Sequence, residues 1–211
     1  MRSTIFVATF LASLFSGGLS LSAQEWSFEL WHDGKIVLED GDTLVGLVKY
    51  DQQQDLVQFN NAKDVTNIFT ARKVLYFEIF DAKAKRYRKF FALPYSTAGQ
   101  YKAPLFFELL AEGKLTLLSR EFVELRTISS PHSVHGYTRE VLAHRFFFLT
   151  TQGEIDEFIG KRRDLLKLMG KKAKDVDKFI RINRLNVGEK YHMVRIIDYY
   201  NSLFETTTEK L

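Results

Sequence analysis

Apolar and polar residues alternate with a period of two along most of the first 150 positions of this 211-residue chain. In "TLVGLVKY" (residues 43–50), Leu44, Val48 and Tyr50 fall on one side of an extended backbone and Val45 and Leu47 on the other. In "RKVLYFEIF" (residues 72–80), Leu75, Phe77 and Ile79 alternate with Val74, Tyr76 and Phe80. "KIVL", "DLVQF", "RYRKFFAL", "LFFELL", "KLTLLSREFVEL" and "HRFFFLT" are further short apolar runs split by turn residues. Side chains of a strand point alternately to its two faces, so this period predicts strands. Strands of this length and spacing predict an antiparallel meander, closing as a roll, a sandwich or a barrel. Pro94, Pro104 and Pro131 fall at the predicted boundaries, where a missing amide is tolerated.

The turn chemistry agrees. "EDGD" separates "KIVL" from "TLVGLVKY", and Asp40-Gly41 suits a two-residue hairpin turn with positive φ at both centres. The same stretch fails as an EF-hand calcium loop. With Asp40 at position 1, Leu44 stands at 5, Val45 at 6 and Asp51 at 12, where the loop needs an oxygen ligand, glycine and glutamate. Asp33-Gly34 predicts another turn before the first strand, and residues 94–104 and 129–140 read as loops.

From Gly153 the period lengthens. Ile155, Phe158 and Ile159 begin an i, i+3, i+4 spacing that Leu165, Leu166 and Met169 continue to Gly170, a helix stop. A second helix is predicted over residues 173–185, with Val176, Phe179, Ile180 and Ile182 inward. After Gly188, a third is predicted over residues 190–204 on Met193, Ile196, Ile197, Tyr200 and Leu203. Strands first and helices last make the fold class α+β. The expected partition is a signal peptide at 1–23, a β-rich domain at 24–152 and a C-terminal helical region at 153–211 packed on it.

Composition adds a location. Met1 and Arg2 precede an apolar run from Ile5 to Phe15, Gly17-Gly18 break it, and "LSAQEW" follows. Charge, apolar core and small residue are the layout of a cleaved secretory signal, with the cut expected after Ala23. The run is short for a membrane span, and nothing later is long and apolar enough to cross as a helix. The chain has no cysteine, which removes disulfides, thiol catalysis and lipidation at cysteine. Phe supplies 19 residues, favouring pleated, half-buried positions. The net charge of +4 is too mild to imply a polyanion, and no nucleic-acid partner is expected of an exported chain.

The signal ending in "SAQ", the run "GKIVLEDGDTLVGLVKYD" and the tail "DYYNSL" together resemble uncharacterised secreted and periplasmic proteins of Bacteroidota. The resemblance covers about the N-terminal third and the last turns of the tail, and it implies no activity. The C-terminus is unlike the β-rich sorting domain such bacteria use for surface export, so periplasmic residence is expected over release.

Candidate chemistry is sparse. His132, His135 and His144, with Glu140 between them, form the one set that convergence would turn into a zinc or copper site, but their spacing matches no metal motif. Merely polar loop histidines are the expectation. No G-x-S-x-G elbow and no phosphate-binding glycine loop occurs; "YSTAG" places a serine near a glycine without forcing the turn. Asp33, Asp40 and Asp42 lie at predicted turns, where Asp is common without catalysis. No catalytic, cofactor or metal residue is assigned. Two basic stretches remain. "KAKRYRK" (residues 83–89) is expected to form a hairpin tip and the strand leaving it. Residues 160–178 set Lys161, Arg162, Arg163, Lys167, Lys171, Lys172 and Lys174 on or beside one helix. That face reads as the solvated side of a helical bundle, or as a contact for an envelope protein or acidic glycan. The leading expectation is a non-catalytic binding module of the cell envelope. The alternative is a β-barrel that binds a ligand, or hydrolyses one, in an aromatic-lined pocket.

Overall fold

The computed structural model describes residues 29–61, 65–96, 99, 101–130 and 133–205. The expected signal peptide and His132 lie outside them. The alternating segments become ten strands: β1 (His32–Leu38), β2 (Thr43–Asp51), β3 (Leu56–Asn60), β4 (Thr66–Thr70), β5 (Val74–Asp81), β6 (Arg86–Tyr95), β7 (Ala103–Ala111), β8 (Thr116–Ser130), β9 (Ser133–Leu149) and β10 (Ile155–Phe158). Three α-helices follow: α1 (Arg162–Leu168), α2 (Ala173–Ile182) and α3 (Lys190–Glu205). The strands form one antiparallel sheet in the order β10-β9-β8-β7-β6-β5-β1-β2-β3-β4. The first four strands meander, β5 returns to the free side of β1, and the meander resumes to β10. The sheet is open, with β10 and β4 at its ends.

The sheet curls strongly. β2 stands four places from β7, which in a flat sheet is about 19 Å. Yet the Tyr50 ring of β2 lies 5.6 Å from that of Phe106 on β7, and 5.2 Å from that of Phe77 on β5. Phe77 stacks on Phe90 at 4.7 Å. These rings, with Ile36, Val48, Val57, Phe59, Val74 and Ile79, fill the hollow of the curl. Asp55, in the turn after β2, pins it: its carboxylate accepts from the Tyr50 hydroxyl (2.7 Å), the Phe106 amide (3.2 Å) and Arg120 of β8. Burial, then the Asp55 carboxylate, raise the Tyr50 phenol well above its ordinary value.

The helices cover the other end of the same face. Met193, Ile196, Ile197 and Tyr200 of α3, Val176 and Ile180 of α2 and Leu165 of α1 pack on Leu117, Phe146 and Phe148. In "RFFFL" the outer two rings therefore meet the helices. Phe147 turns to the reverse face, where Phe107, Leu118 and Tyr95 bury it. All three rings are covered, but the one on the reverse face is covered by the sheet's own side chains, not by the helices.

Several local expectations are corrected. The Asp40-Gly41 hairpin exists, but as a turn with Glu39 and Asp40 at its centre: the Gly41 amide donates to Leu38 O at 3.0 Å, and Gly41 takes the positive φ (+94°). The Asp42 amide donates to the Asp40 carboxylate at 3.1 Å, so this acid shapes the turn. Asp33-Gly34 is not a turn. It lies inside β1, because the Glu78 carbonyl of β5 approaches so closely that a Cβ at Gly34 would overlap it. Residues 133–140, expected as loop, are the first half of β9. Ile155–Phe158, expected as helix, pairs with residues 146–149 as the edge strand β10.

Candidate functional site

Four charged side chains meet beneath the start of α3. Strand alternation puts Arg88 on the side of Phe90, Glu108 on the side of Phe106, and Glu121 on the side of Leu117, all toward the covered face. Arg88 donates Nε to Glu108 Oε1 at 2.9 Å and Nη2 to Glu108 Oε2 at 2.7 Å, and reaches Glu121 Oε1 at 2.7 Å. Lys190 Nζ closes the square on the same two acids, at 2.7 and 3.0 Å. The Arg88, Glu108 and Glu121 side chains are 6%, 3% and 4% exposed. Gln52, from the turn after β2, donates to the remaining Glu121 oxygen at 2.8 Å. The cluster therefore joins the curled strands, the central strands and the helices.

Its electrostatics follow from two opposing effects. Burial alone would raise both carboxyl groups and lower the guanidinium. The Arg88 and Lys190 charges outweigh burial at Glu108, which stays below the usual carboxylate range, and bring Glu121 to about 2. The two carboxylates in turn raise Arg88. Two cations against two anions leave the buried square neutral, which is what permits its burial. Lys190 opens α3, where a cation is disfavoured by the helix dipole; the acids beneath it offset that cost. Farther along α3, Asn201 accepts from the Leu115 amide (2.9 Å) and donates to Leu115 O (3.0 Å), fastening the helix to the β7–β8 turn.

His144 of β9 stands opposite Glu121 in the β8–β9 register, its Nδ1 3.7 Å from Glu121 Oε1. Burial first, then the Lys190 charge, lower its pKa, which keeps the imidazole neutral at pH 7. Above the square lies an open groove of about 530 Å³ between the β8–β9 ribbon and the start of α3, lined by Arg126, His144, Glu189, Lys190, Tyr191 and His192 among others. A smaller hollow of about 260 Å³ touches His144, Glu157 and Gly160.

Beyond this root the β8–β9 ribbon stands apart. The β7–β8 ladder ends at Glu108↔Ser119 and β10 reaches only Phe146, so among the described residues 120–130 pair only with 133–145. The nine residues from Phe122 to Ser130, at about 3.4 Å each, make an arm of roughly 30 Å. It exposes Leu125 (73%) and Tyr137 (52%), and sets Arg126 directly across from Arg139.

The sequence candidates do not gather here. His135 and His144 lie nine positions apart on one extended strand, about 30 Å along the backbone. Glu140 faces Leu125 on the arm. Ser96 of "YSTAG" donates its hydroxyl to Gly99 O at 2.8 Å, a turn-forming bond. On the basic stretch, Arg162 pairs with Asp177 at 2.6 Å and Lys167 with Asp164 at 3.4 Å, so acids on the same helices offset part of its charge. Arg88 lies in the stretch "KAKRYRK", read as a hairpin tip and the strand leaving it, and Glu108 and Glu121 lie in runs read as strands, with no site assigned to any of them. The available signal was parity: each is a charge on the same side of its strand as buried apolar neighbours.

The square cannot serve as a proton donor near neutral pH, since both acids are held ionised and each accepts from Arg88 and Lys190. What the site offers is a fixed base, a neutral imidazole and a polar groove beside a projecting ribbon. No protein-family model matches the chain, no curated protein is similar to it, and no solved structure matches it.

Proposed function

We propose that the chain is a non-catalytic binding module of the cell envelope, and that it grips its partner with the β8–β9 arm and the groove at the arm's root. The carrying observation is the arm itself. A two-stranded ribbon with no third strand is marginal in water. This one sets Arg126 opposite Arg139, a like-charge pair that Glu124 offsets in part by accepting from Arg126 Nε at 3.0 Å. An acidic partner lying along the Arg126–Arg139 face of the arm answers that charge, covers Tyr137 on the same face, and meets Lys190 and the imidazoles at the base. The ionised, fully engaged acids of the square support binding over acid–base catalysis.

The test is site-specific photo-crosslinking in the native envelope. A crosslinker at Tyr137 is expected to capture one partner, and Arg139→Glu to cut the yield about fivefold or more, as loss of a charge contact worth about 1 kcal/mol would. A crosslinker at Lys171 on the basic helices is expected to capture little. The reverse pattern would move the contact to the helices, and capture at neither position would sink the binding reading.

A further inference from the structure

The two ends of the sheet are built differently. At one end β10 has four residues, two of them Asp156 and Glu157, and its Phe158 packs into the helix-covered core. At the other end β4 reads Thr-Asn-Ile-Phe-Thr (Thr66–Thr70), with no charge and no proline, the devices that keep edge strands from pairing. Among the described residues only β3 pairs with it, so its outer row of amides and carbonyls is open. Phe69 turns inward to the core. Ile68, on the outer side with Thr66 and Thr70, is 61% exposed.

The strand is complementary to itself. Laid antiparallel on a second copy about Ile68, it sets Thr66 against Thr70 twice and Ile68 against Ile68, which are favourable cross-strand pairs with no like charges opposed. A charged partner strand would find nothing in β4 to answer it. We propose that β4 is a homodimer interface: two copies join β4 to β4 about a two-fold axis, and their ten-stranded sheets become one continuous sheet. This assignment is independent of the arm and its partner.

The chain's lack of cysteine makes the test direct. The purified wild-type chain is expected to sediment as a concentration-dependent dimer. Ile68→Cys is expected to form a disulfide-linked dimer on mild oxidation. Leu125→Cys, more exposed but on the arm, is expected to remain single under the same conditions. Ile68→Lys is expected to weaken the dimer about tenfold or more without moving the melting temperature of the dilute monomer. A wild-type chain that stays monomeric at its highest soluble concentration overturns the proposal, even if β4 amides are protected from exchange, since the occupant is then another segment or another protein. Equal crosslinking of both cysteine variants, or an undiminished dimer in Ile68→Lys, overturns it as well.

Discussion

The curled half of the sheet and the helix-covered half solve the same problem by different means. Strands β1–β7 bury their inner face by bending until Tyr50, Phe77 and Phe106 touch one another. Strands β8–β10 stay open and import a cover: nine buried side chains of the helical region, from Leu165 to Tyr200, close over Leu117, Phe146 and Phe148. The first solution needs only the strands' own aromatic rings. The second makes that half depend on residues far down the chain, with the charged square and Asn201 adding directional contacts to the apolar packing of the cover.

The sharpest way to break this contrast is to unbalance the square. Glu108→Ala leaves Arg88 and Lys190 without one of their two acids, and removing one partner of a buried pair costs about 3–5 kcal/mol. Because the square touches both halves, one cooperative transition at lower denaturant is expected by circular dichroism. Two separate transitions would mean that the curled half survives alone.

Acid probes the same seam. Glu121 falls from the ordinary 4.5 to about 2 in the folded chain, so the stability it contributes is complete above about pH 4.5 and is lost as pH falls toward 2. That difference corresponds to roughly 3 kcal/mol. His144 acts in a higher window. Its folded pKa lies below 6.5, so the unfolded chain takes up the proton first and stability declines as pH drops below that value. In urea titrations across pH, Glu121→Gln should flatten the lower limb and His144→Phe the upper one. A profile unchanged by Glu121→Gln would deny the acid its role.

A milder change reaches the cover alone. A Cβ at Gly113, whose φ is +154°, would lie 2.7 Å from the Asn201 side chain. Gly113→Ala is expected to cost about 1–3 kcal/mol by forcing that side chain aside. Hydrogen exchange should rise in α3 and stay unchanged in β1–β3. A uniform rise would show that the helices and the curl open together.

How much of this was legible in the chain varies with what each residue faces. Strands with one dry side, such as β2 and β5, announce themselves by alternation. The first half of β9 does not, because residues 137–140 meet solvent on both sides of the arm and "SVHGYTRE" has no apolar rhythm to show. β4 keeps one inward ring, Phe69, too few for a pattern. β10 was misread because Ile155, Phe158 and Ile159 satisfy helical spacing, while pairing with β9 outweighs that local preference. The α+β order and the two longer helices were readable, since α2 and α3 bury one stripe each. The square was half legible: parity marks Arg88, Glu108 and Glu121 as inward charges. Nothing local marks Lys190 as their partner, because which strands lie beneath a helix is decided by the tertiary fold.

The return of β5 to β1 also fixes where long-range pairing falls. Every other pair of neighbouring strands among the described residues is consecutive in the chain, whereas Ile36 meets Phe77 forty-one positions later. Closing that loop costs more chain entropy than any hairpin in the sheet, so the two runs of strands can each pair locally and are joined only there. Gly34, pressed against the Glu78 carbonyl at that junction, lets the two backbones approach, and the seam between the two runs rests on a residue with no side chain at all.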